Sequence, residues 1–209
     1  KEALKFLERH RCAPRADAGQ GLCAAVGAVT HAVVFDLDGV VVDTEHVWDD
    51  VRACLTEEWG GTYTPEAQRA MMGMSSTEWS YYMHDALGLP QAPDEINAEV
   101  VRRMLERYRR DLPLQPGAVE AVTRLYEAGL PLAVASSSNR PLIEAVLETA
   151  GLHGYFAVTV SSEEVARGKP SPDVYLEAAR RLGIAPVRCA AVEDSANGLK
   201  AAIGAGLRT

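Results

Sequence analysis

The sequence has 209 residues, of which 47% are hydrophobic and 24% are charged, with a formal net charge of -8. A chain of this length and composition can bury a sizeable core, in one domain or in one domain with an insertion. The acidic balance argues against a nucleic-acid partner, because phosphate backbones require a concentrated basic face.

Residues 1–28 are expected to form an extension outside the folded body. The first part is basic and fits a short helix, and the second part is rich in small residues. A basic start followed by an apolar stretch faintly resembles a signal peptide. The apolar stretch, however, runs directly into a segment better explained as a core strand. A flexible extension, or a leader foreign to the natural chain, is therefore favoured.

From residue 29 onward, strand-like apolar runs alternate with helical patterns. The strand-like runs are His31–Phe35, Leu132–Ala135, Ala157–Val160 and Cys189–Val192. The helical patterns are Ala118–Ala128, Leu142–Ala150, Asp173–Leu182 and Ala196–Ala205. Ser171 is expected as a helix N-cap, and Gly129, Gly151 and Gly183 stand where helices should end. The alternation predicts an α/β fold with a doubly wound, mostly parallel, Rossmann-like sheet, whose site lies at the carboxyl ends of its strands.

Residues 45–112 interrupt this alternation, because they contain only helical patterns. Apolar residues recur at helical spacing in two stripes, Val47, Val51, Leu55 and Trp59, and then Ile96, Val100, Met104 and Tyr108. Ser75 and Glu78 have the spacing of a capping box. We predict a helical cap at residues 45–112, inserted into an α/β core of residues 29–44 and 113–209. The stripes favour a bundle core over ligand contacts.

The stretch from Val33 to Glu45 carries the strongest chemical signal. Asp36 directly follows an apolar run, Asp38 stands two residues later, and Gly39 allows the chain to turn sharply. Two carboxylates on one side of a strand end supply a nucleophile and a proton carrier. An Asp-rich turn or half of a calcium loop is the alternative. The later residues lack the alternate oxygen ligands and the final Glu of an EF-hand.

Two further signals point to phosphate recognition. Ser136–Ser138 follow a predicted strand, where hydroxyls and free N–H groups suit a phosphate oxygen, although serine-rich helix caps are common. Lys169 lies between Gly168 and Pro170, which favours a positioned cation over a flexible surface lysine. A nucleotide-binding P-loop is excluded, because Glu163 stands where its first glycine belongs.

The fourth signal is an acidic pair, Glu193 and Asp194, at the end of another predicted strand. Adjacent carboxylates are hard-oxygen ligands that suit magnesium, although a helix-capping role is equally open. The cysteines form no CxxC pair and the histidines have no HExxH spacing, which argues against zinc and disulfides and favours a reducing, cytoplasmic location. No apolar run reaches the roughly 18–20 residues that cross a bilayer, so no membrane partner is expected.

With these four motifs in this order, the chain from about His31 onward resembles the haloacid dehalogenase-like hydrolase superfamily, in its beta-phosphoglucomutase-like and sugar-phosphatase-like branch with a helical cap. The resemblance implies Asp36 as nucleophile and Asp38 as general acid/base. It implies that phosphate contacts Ser136, Ser137 and Lys169, and that Mg²⁺ is held by Asp36, the Asp38 backbone carbonyl and Asp194, with Glu193 beside it.

The function implied by the resemblance is a magnesium-dependent phosphatase, which hydrolyses a small phosphorylated metabolite, for example a sugar phosphate, through an aspartyl-phosphate on Asp36. The cap would close over the site by hinges near 42–45 and 112–117 and select the leaving group. Members of the branch continue into a further strand, so the resemblance also implies that the sheet lacks its C-terminal edge strand.

Two cap positions depart from the beta-phosphoglucomutase pattern. Ser76 stands where those enzymes carry an arginine for the substrate's distal phosphate, and Trp48 stands where they carry a histidine. Both residues are candidate substrate contacts. The departures favour hydrolysis over mutase chemistry, and Asp38 argues against C–halogen cleavage. A phosphosugar mutase and a non-catalytic binding protein on the same fold remain the alternatives. The sequence predicts neither the substrate nor the oligomeric state.

Overall fold

The structure is a computed structural model, and it describes residues 30–209. The prediction for residues 1–28 lies outside the described residues. The described residues contain a four-stranded parallel sheet with the order β3-β2-β1-β4. Its strands are β1 (Ala32–Phe35), β2 (Leu132–Ser136), β3 (Val158–Ser161) and β4 (Cys189–Val192). The predicted strands and the α/β fold class are confirmed.

Helices occupy most of the remaining described chain. They are α1 (Glu45–Glu58), α2 (Pro65–Met71), α3 (Ser76–Asp85), α4 (Pro93–Arg110), α5 (Ala118–Glu127), α6 (Arg140–Thr149), α7 (Asp173–Leu182) and α8 (Ala196–Gly204). Short 3₁₀ helices span Ser162–Glu164 and Pro186–Arg188. The predicted capping box of Ser75 and Glu78 is present at the start of α3.

The predicted N-cap at Ser171 is wrong. The N-cap of α7 is Pro172, which already has right-handed helical backbone angles, and its side chain forms no capping bond. Ser171 stands one residue earlier, and its hydroxyl donates to Asp173 Oδ1 at 2.7 Å. The predicted end of this helix is confirmed, because Gly183 terminates α7 in the left-handed conformation that glycine adopts at little cost.

Each face of the sheet buries a separate apolar cluster, because neighbouring residues of a strand point to opposite faces. In β1, Val33 and Phe35 join a large cluster with residues of α1 to α6. Ala32 and Val34 join a second cluster, which includes residues of α7 and α8. This two-sided burial makes the sheet doubly wound and leaves the carboxyl ends of its strands free for a site.

The four helices α1–α4 lie between β1 and α5 in the chain. The two connecting segments run side by side, since Asp43 N–H donates to Pro113 O at 2.7 Å and Gln115 N–H donates to Val41 O at 2.9 Å. Within these helices, Ile96, Val100, Met104 and Tyr108 form the predicted stripe and are all buried. The stripe is therefore core, as the periodicity indicates.

The residues after α8 return to the sheet. Arg208 N–H donates to Cys189 O at 3.0 Å, and Arg208 forms a single parallel bridge with Ala190 of β4. In the described residues this bridge is the only pairing on the outer side of β4. Cys54 and Cys189 are free thiols. Between residues 30 and 209, no helix has both the length and the apolar character that crossing a membrane requires.

Candidate active site

A cavity of about 660 Å³ lies between the carboxyl ends of the strands and the helices α1–α3. Of the residues predicted to form the site, it is lined by Asp36, Asp38, Trp48, Ser137, Lys169 and Asp194. These residues come from widely separated parts of the chain. The parallel sheet brings them together, because β1 and β4 end side by side and β2 ends next to β1.

Lys169 lies between two carboxylates at the floor of this cavity. Its Nζ is 2.8 Å from Asp36 Oδ1 and 2.7 Å from Glu193 Oε2, and the residue is only 5% exposed. Burial lowers the pKa of Lys169, but the two carboxylates outweigh it, so the pKa lies above its ordinary value. Lys169 therefore stays protonated and supplies a fixed positive charge beside Asp36.

The Asp36 carboxylate is buried in an acidic environment. Burial, with contributions from Glu193 and Asp38, raises the pKa of Asp36 to about 7, although Lys169 acts in the opposite direction. The charge of Lys169 is shared between Asp36 and Glu193. A further cation next to Asp36 would favour its ionised, nucleophilic form.

The Glu193 carboxylate accepts several hydrogen bonds. Besides Lys169, the Tyr175 hydroxyl donates to its Oε2 at 2.5 Å, and the Ser195 hydroxyl and backbone N–H donate to its Oε1 at 2.8 and 3.1 Å. Burial raises the pKa of Glu193, but the combined effect of these donors is larger and in the opposite direction. The pKa of Glu193 therefore lies below its ordinary value. A Cβ on Gly198 would lie 1.9 Å from the Glu193 carboxylate carbon, so this close packing requires glycine at position 198.

A group of three acidic residues fits a metal ion. One carboxylate oxygen from each of Asp36, Glu193 and Asp194 lies within 4.8 Å of the others. Burial and the neighbouring Glu193 raise the pKa of Asp194. Gly39 makes room for this side chain, since a Cβ there would lie 2.0 Å from Asp194 Oδ2. Hard oxygen donors with unbalanced negative charge match the preference of Mg²⁺.

Asp38 is held in place by side chains from both sides of the cavity. Its Oδ1 accepts hydrogen bonds from the Thr44 hydroxyl at 2.5 Å and from Trp48 Nε1 at 3.1 Å. Its Oδ2 accepts a hydrogen bond from the Ser138 hydroxyl at 2.6 Å. Thr44 directly precedes α1 and Trp48 belongs to it, whereas Ser138 follows β2. The hydrogen bonds of Asp38 therefore connect the helical segment with the sheet.

Three predicted site residues do not line the cavity: Ser136, Ser76 and Glu193, which is paired with Lys169. Ser136 is fully buried, and its Oγ accepts the backbone N–H of Ser138 at 3.0 Å. Ser76 is also buried, and its hydroxyl donates to Glu163 Oε1 at 3.3 Å, at the boundary between α3 and the sheet region. Ser137 lines the cavity, as does Ser138.

Sequence reasoning gave no site role to Thr44, Arg52 or Tyr175. The hydroxyl of Thr44 contacts Asp38, that of Tyr175 contacts Glu193, and Arg52 lines the cavity. The role of Thr44 could have been predicted from the sequence, because Thr44 lies in the same stretch, Val33 to Glu45, as Asp36 and Asp38. Tyr175 and Arg52 lie on predicted helices, and only the tertiary structure turns them toward the site.

The chain is similar to known proteins both in sequence and in structure. The family model "haloacid dehalogenase-like hydrolase" matches residues 30–206. The chain is 34% identical over 188 residues to a probable pseudouridine-5'-phosphatase of Drosophila melanogaster, covering 86% of this chain and 80% of the relative. It is 33% identical over 183 residues to hexitol phosphatase B of Escherichia coli K12, covering 85% and 81%. A crystal structure of CbbY from Rhodobacter sphaeroides in complex with phosphate has a TM-score of 0.78 at 29% identity, covering 86% and 84%.

Proposed function

The chain belongs to the haloacid dehalogenase-like hydrolase family, and we propose that it is a magnesium-dependent phosphatase of small phosphorylated metabolites that forms an aspartyl-phosphate on Asp36. One observation carries this proposal: Lys169 Nζ lies 2.8 Å from Asp36, and Asp194 belongs to the same carboxylate group. The nucleophile, a fixed cation and the metal ligands therefore share one cavity. The phosphatase names of relatives above 30% identity support the same reaction class.

In the proposed reaction, Asp36 attacks phosphorus in line, and the bond to the leaving oxygen breaks. Lys169 offsets the charge on the phosphoryl oxygens, and the hydroxyl and backbone N–H of Ser137, which lines the cavity, bind them. Asp38 donates a proton to the leaving oxygen, and then takes one from the water that hydrolyses the aspartyl-phosphate. Thr44 and Ser138 orient the two oxygens of Asp38 for this task.

The acidic residues would hold Mg²⁺ through Asp36, Asp194 and the Asp38 backbone carbonyl, with Glu193 beside them. A bound Mg²⁺ would lessen the repulsion between the anionic nucleophile and the anionic substrate. Glu193 positions Lys169, because it accepts a hydrogen bond from Lys169 Nζ and is itself held by the hydroxyls of Tyr175 and Ser195. Its engagement with four donors favours this positioning role over a ligand role.

We further propose that residues 45–112 act as a cap on an α/β core of 29–44 and 113–209. The paired connections beside Val42 and Leu114 offer the hinge. The cap contributes Trp48 directly to the acid/base Asp38 through the 3.1 Å hydrogen bond from its indole nitrogen. Closure would exclude water and complete the site around the leaving group.

The residue at position 76 favours hydrolysis over phosphosugar mutase chemistry. Ser76, which replaces the distal-phosphate arginine of the beta-phosphoglucomutase pattern, is buried and donates to Glu163 instead of facing the cavity. Release of free phosphate, rather than an isomerised sugar phosphate, distinguishes the two reactions.

The proposal is tested with an aryl phosphate, in the presence of Mg²⁺ and in the presence of EDTA. We expect phosphate release that requires Mg²⁺ and that falls by several orders of magnitude in Asp36→Asn, because each ~1.4 kcal/mol of barrier is tenfold in rate. Exposed Asp50→Asn serves as the matched control for the loss of one carboxylate charge. Full activity in EDTA or in Asp36→Asn would refute the proposed function.

A further inference from the structure

Arg52 is a buried cation that the proposed reaction does not use. It lies on α1, lines the cavity and is only 9% exposed. Its guanidinium carbon lies 4.7 Å from the centre of the Trp48 ring and 5.0 Å from that of the Trp79 ring. The two indoles therefore hold the guanidinium in place and stabilise its charge by cation–π contacts.

The guanidinium of Arg52 has no polar partner in the part of the chain that the structure describes. Its Nε is buried without a hydrogen bond, and the two carboxylates at the floor of the cavity, Asp36 and Glu193, are paired with Lys169. Asp49 also lines the cavity, but its Oδ1 accepts the Tyr63 hydroxyl at 2.6 Å. A buried N–H group is unfavourable without an acceptor, and the Arg52 Nε has none.

Arg52 remains charged under ordinary conditions. Burial lowers its pKa to about 10, and the nearby acidic and phenolic groups of Tyr63, Asp38 and Asp49 oppose this shift. Arg52 and Lys169 are the two cationic side chains among the residues that line the cavity. Lys169 is matched by two carboxylates, whereas Arg52 is not, so the cavity has one positive position with no counterion.

The positions of the two cations define the ends of a ligand. Trp48 contacts both Asp38 and Arg52, because its indole nitrogen donates to Asp38 and the Arg52 guanidinium lies over its ring. A substrate with its transferred phosphate at Asp36 and its leaving oxygen at Asp38 would extend past Trp48 toward Arg52. An anionic group at that far end would supply the missing acceptor, and a guanidinium binds both carboxylate and phosphate in a bidentate manner.

We propose that Arg52 is a specificity-determining residue that binds a second anionic group, a carboxylate or a phosphate, at the end of the substrate remote from Asp36. This inference rests on the proposed phosphatase function. It assigns the substrate to phosphate monoesters that carry a second anionic group. The competing explanation is a purely structural arginine that packs against two tryptophans.

Steady-state kinetics on three classes of ester test the inference. The probes are a hexose monophosphate, the corresponding hexose bisphosphate, and phosphoglycolate, whose second anion is a carboxylate. For wild type we expect a lower KM for one or both of the esters that carry a second anionic group than for the hexose monophosphate. The preferred ester identifies whether the site takes phosphate or carboxylate.

The variants Arg52→Gln and Arg52→Lys separate recognition from folding. Arg52→Gln should raise KM for the preferred ester with a second anionic group at least ~10-fold more than for the hexose monophosphate. This difference is expected for a lost charge-assisted hydrogen bond. Arg52→Lys should recover part of this selectivity, and exposed Arg69→Gln, the matched control, should retain all of it. Thermal melting of each variant reports folding.

Equal losses of kcat/KM on all three esters, or a wild-type preference for the monophosphate, would overturn the inference while leaving the phosphatase proposal intact. The outcome is the same if Arg52→Gln does not fold and Arg52→Lys loses activity equally on all esters. If wild type hydrolyses none of these esters nor an aryl phosphate, the proposed function itself fails, and the inference falls with it.

Discussion

Replacing Gly198 by alanine should reverse the usual effect of this substitution in a helix. Gly198 lies in the first turn of α8 and does not have a positive φ, and alanine is favoured over glycine in a helix by up to about 1 kcal/mol. Here, however, the new Cβ would lie 1.9 Å from the Glu193 carboxylate carbon and 2.0 Å from Oε2. Ordinary contact needs at least 3.4 Å, so the carboxylate has to move by about 1.5 Å.

A displacement of this size breaks at least one of the hydrogen bonds that Glu193 accepts. Lys169 Nζ, the Tyr175 hydroxyl and the Ser195 hydroxyl lie 2.7, 2.5 and 2.8 Å from its oxygens. Bonds to a charged group contribute about 1.5–3 kcal/mol each, and overpacking costs about 1–3 kcal/mol. With one such bond lost, and with the gain of up to about 1 kcal/mol in helix propensity subtracted, we expect the free energy of unfolding to fall by about 1.5–5 kcal/mol. Because Lys169 moves with Glu193, activity should fall about 100-fold.

Urea denaturation and release of phosphate from an aryl phosphate measure the two effects. Gly204→Ala is the control in the same helix, because its Cβ would lie 3.7 Å from Pro172 Cβ, an ordinary contact. The control should be neutral or slightly stabilising and should retain activity. If Gly198→Ala matched Gly204→Ala in both stability and activity, the close packing of Glu193 would not be required.

Three further predictions follow from the same contacts. Glu163→Gln removes the negative charge of the carboxylate that accepts hydrogen bonds from Ser76 and Asn139. The free energy of unfolding measured in urea should therefore fall by about 1 kcal/mol, whereas exposed Glu144→Gln should leave it unchanged. Mg²⁺ should raise the melting temperature of wild type, by a stabilisation of about 2.7 kcal/mol at 100 times Kd, and Asp194→Asn should abolish this rise; an equal rise in both proteins would argue against the acidic group as the metal site. Tyr175→Phe removes a buried donor to Glu193 and should destabilise by about 1.5–3 kcal/mol, and unchanged urea midpoints would contradict this.

The fold could be predicted from the sequence because its signals are local and repetitive. The apolar run that becomes β4, Cys189–Val192, and the helix Asp173–Leu182 have the same bounds in the structure as in the prediction. The N-cap of that helix was predicted at Ser171, one residue too early, because serine is the better capping residue by composition but Pro172 occupies the position. Helix ends depend on backbone angles that composition does not determine.

The candidate site was predictable only to the level of which residues meet. Asp36, Lys169 and Asp194 follow strands or adjoining loops, so topology alone brings them to one edge. The direction of each side chain was not predictable. Ser136 was expected to face phosphate but is fully buried, and Arg52 reads as one more polar position on an amphipathic helix. Packing between distant elements decides such orientations.

The most direct test of the account is acid quenching of wild type during turnover of an aryl phosphate with Mg²⁺, followed by mass spectrometry of its peptides. The account predicts one phosphorylated residue, Asp36, with a phosphate adduct that is absent in Asp36→Asn. A phosphate adduct on a different residue, or undiminished turnover by Asp36→Asn, would contradict it.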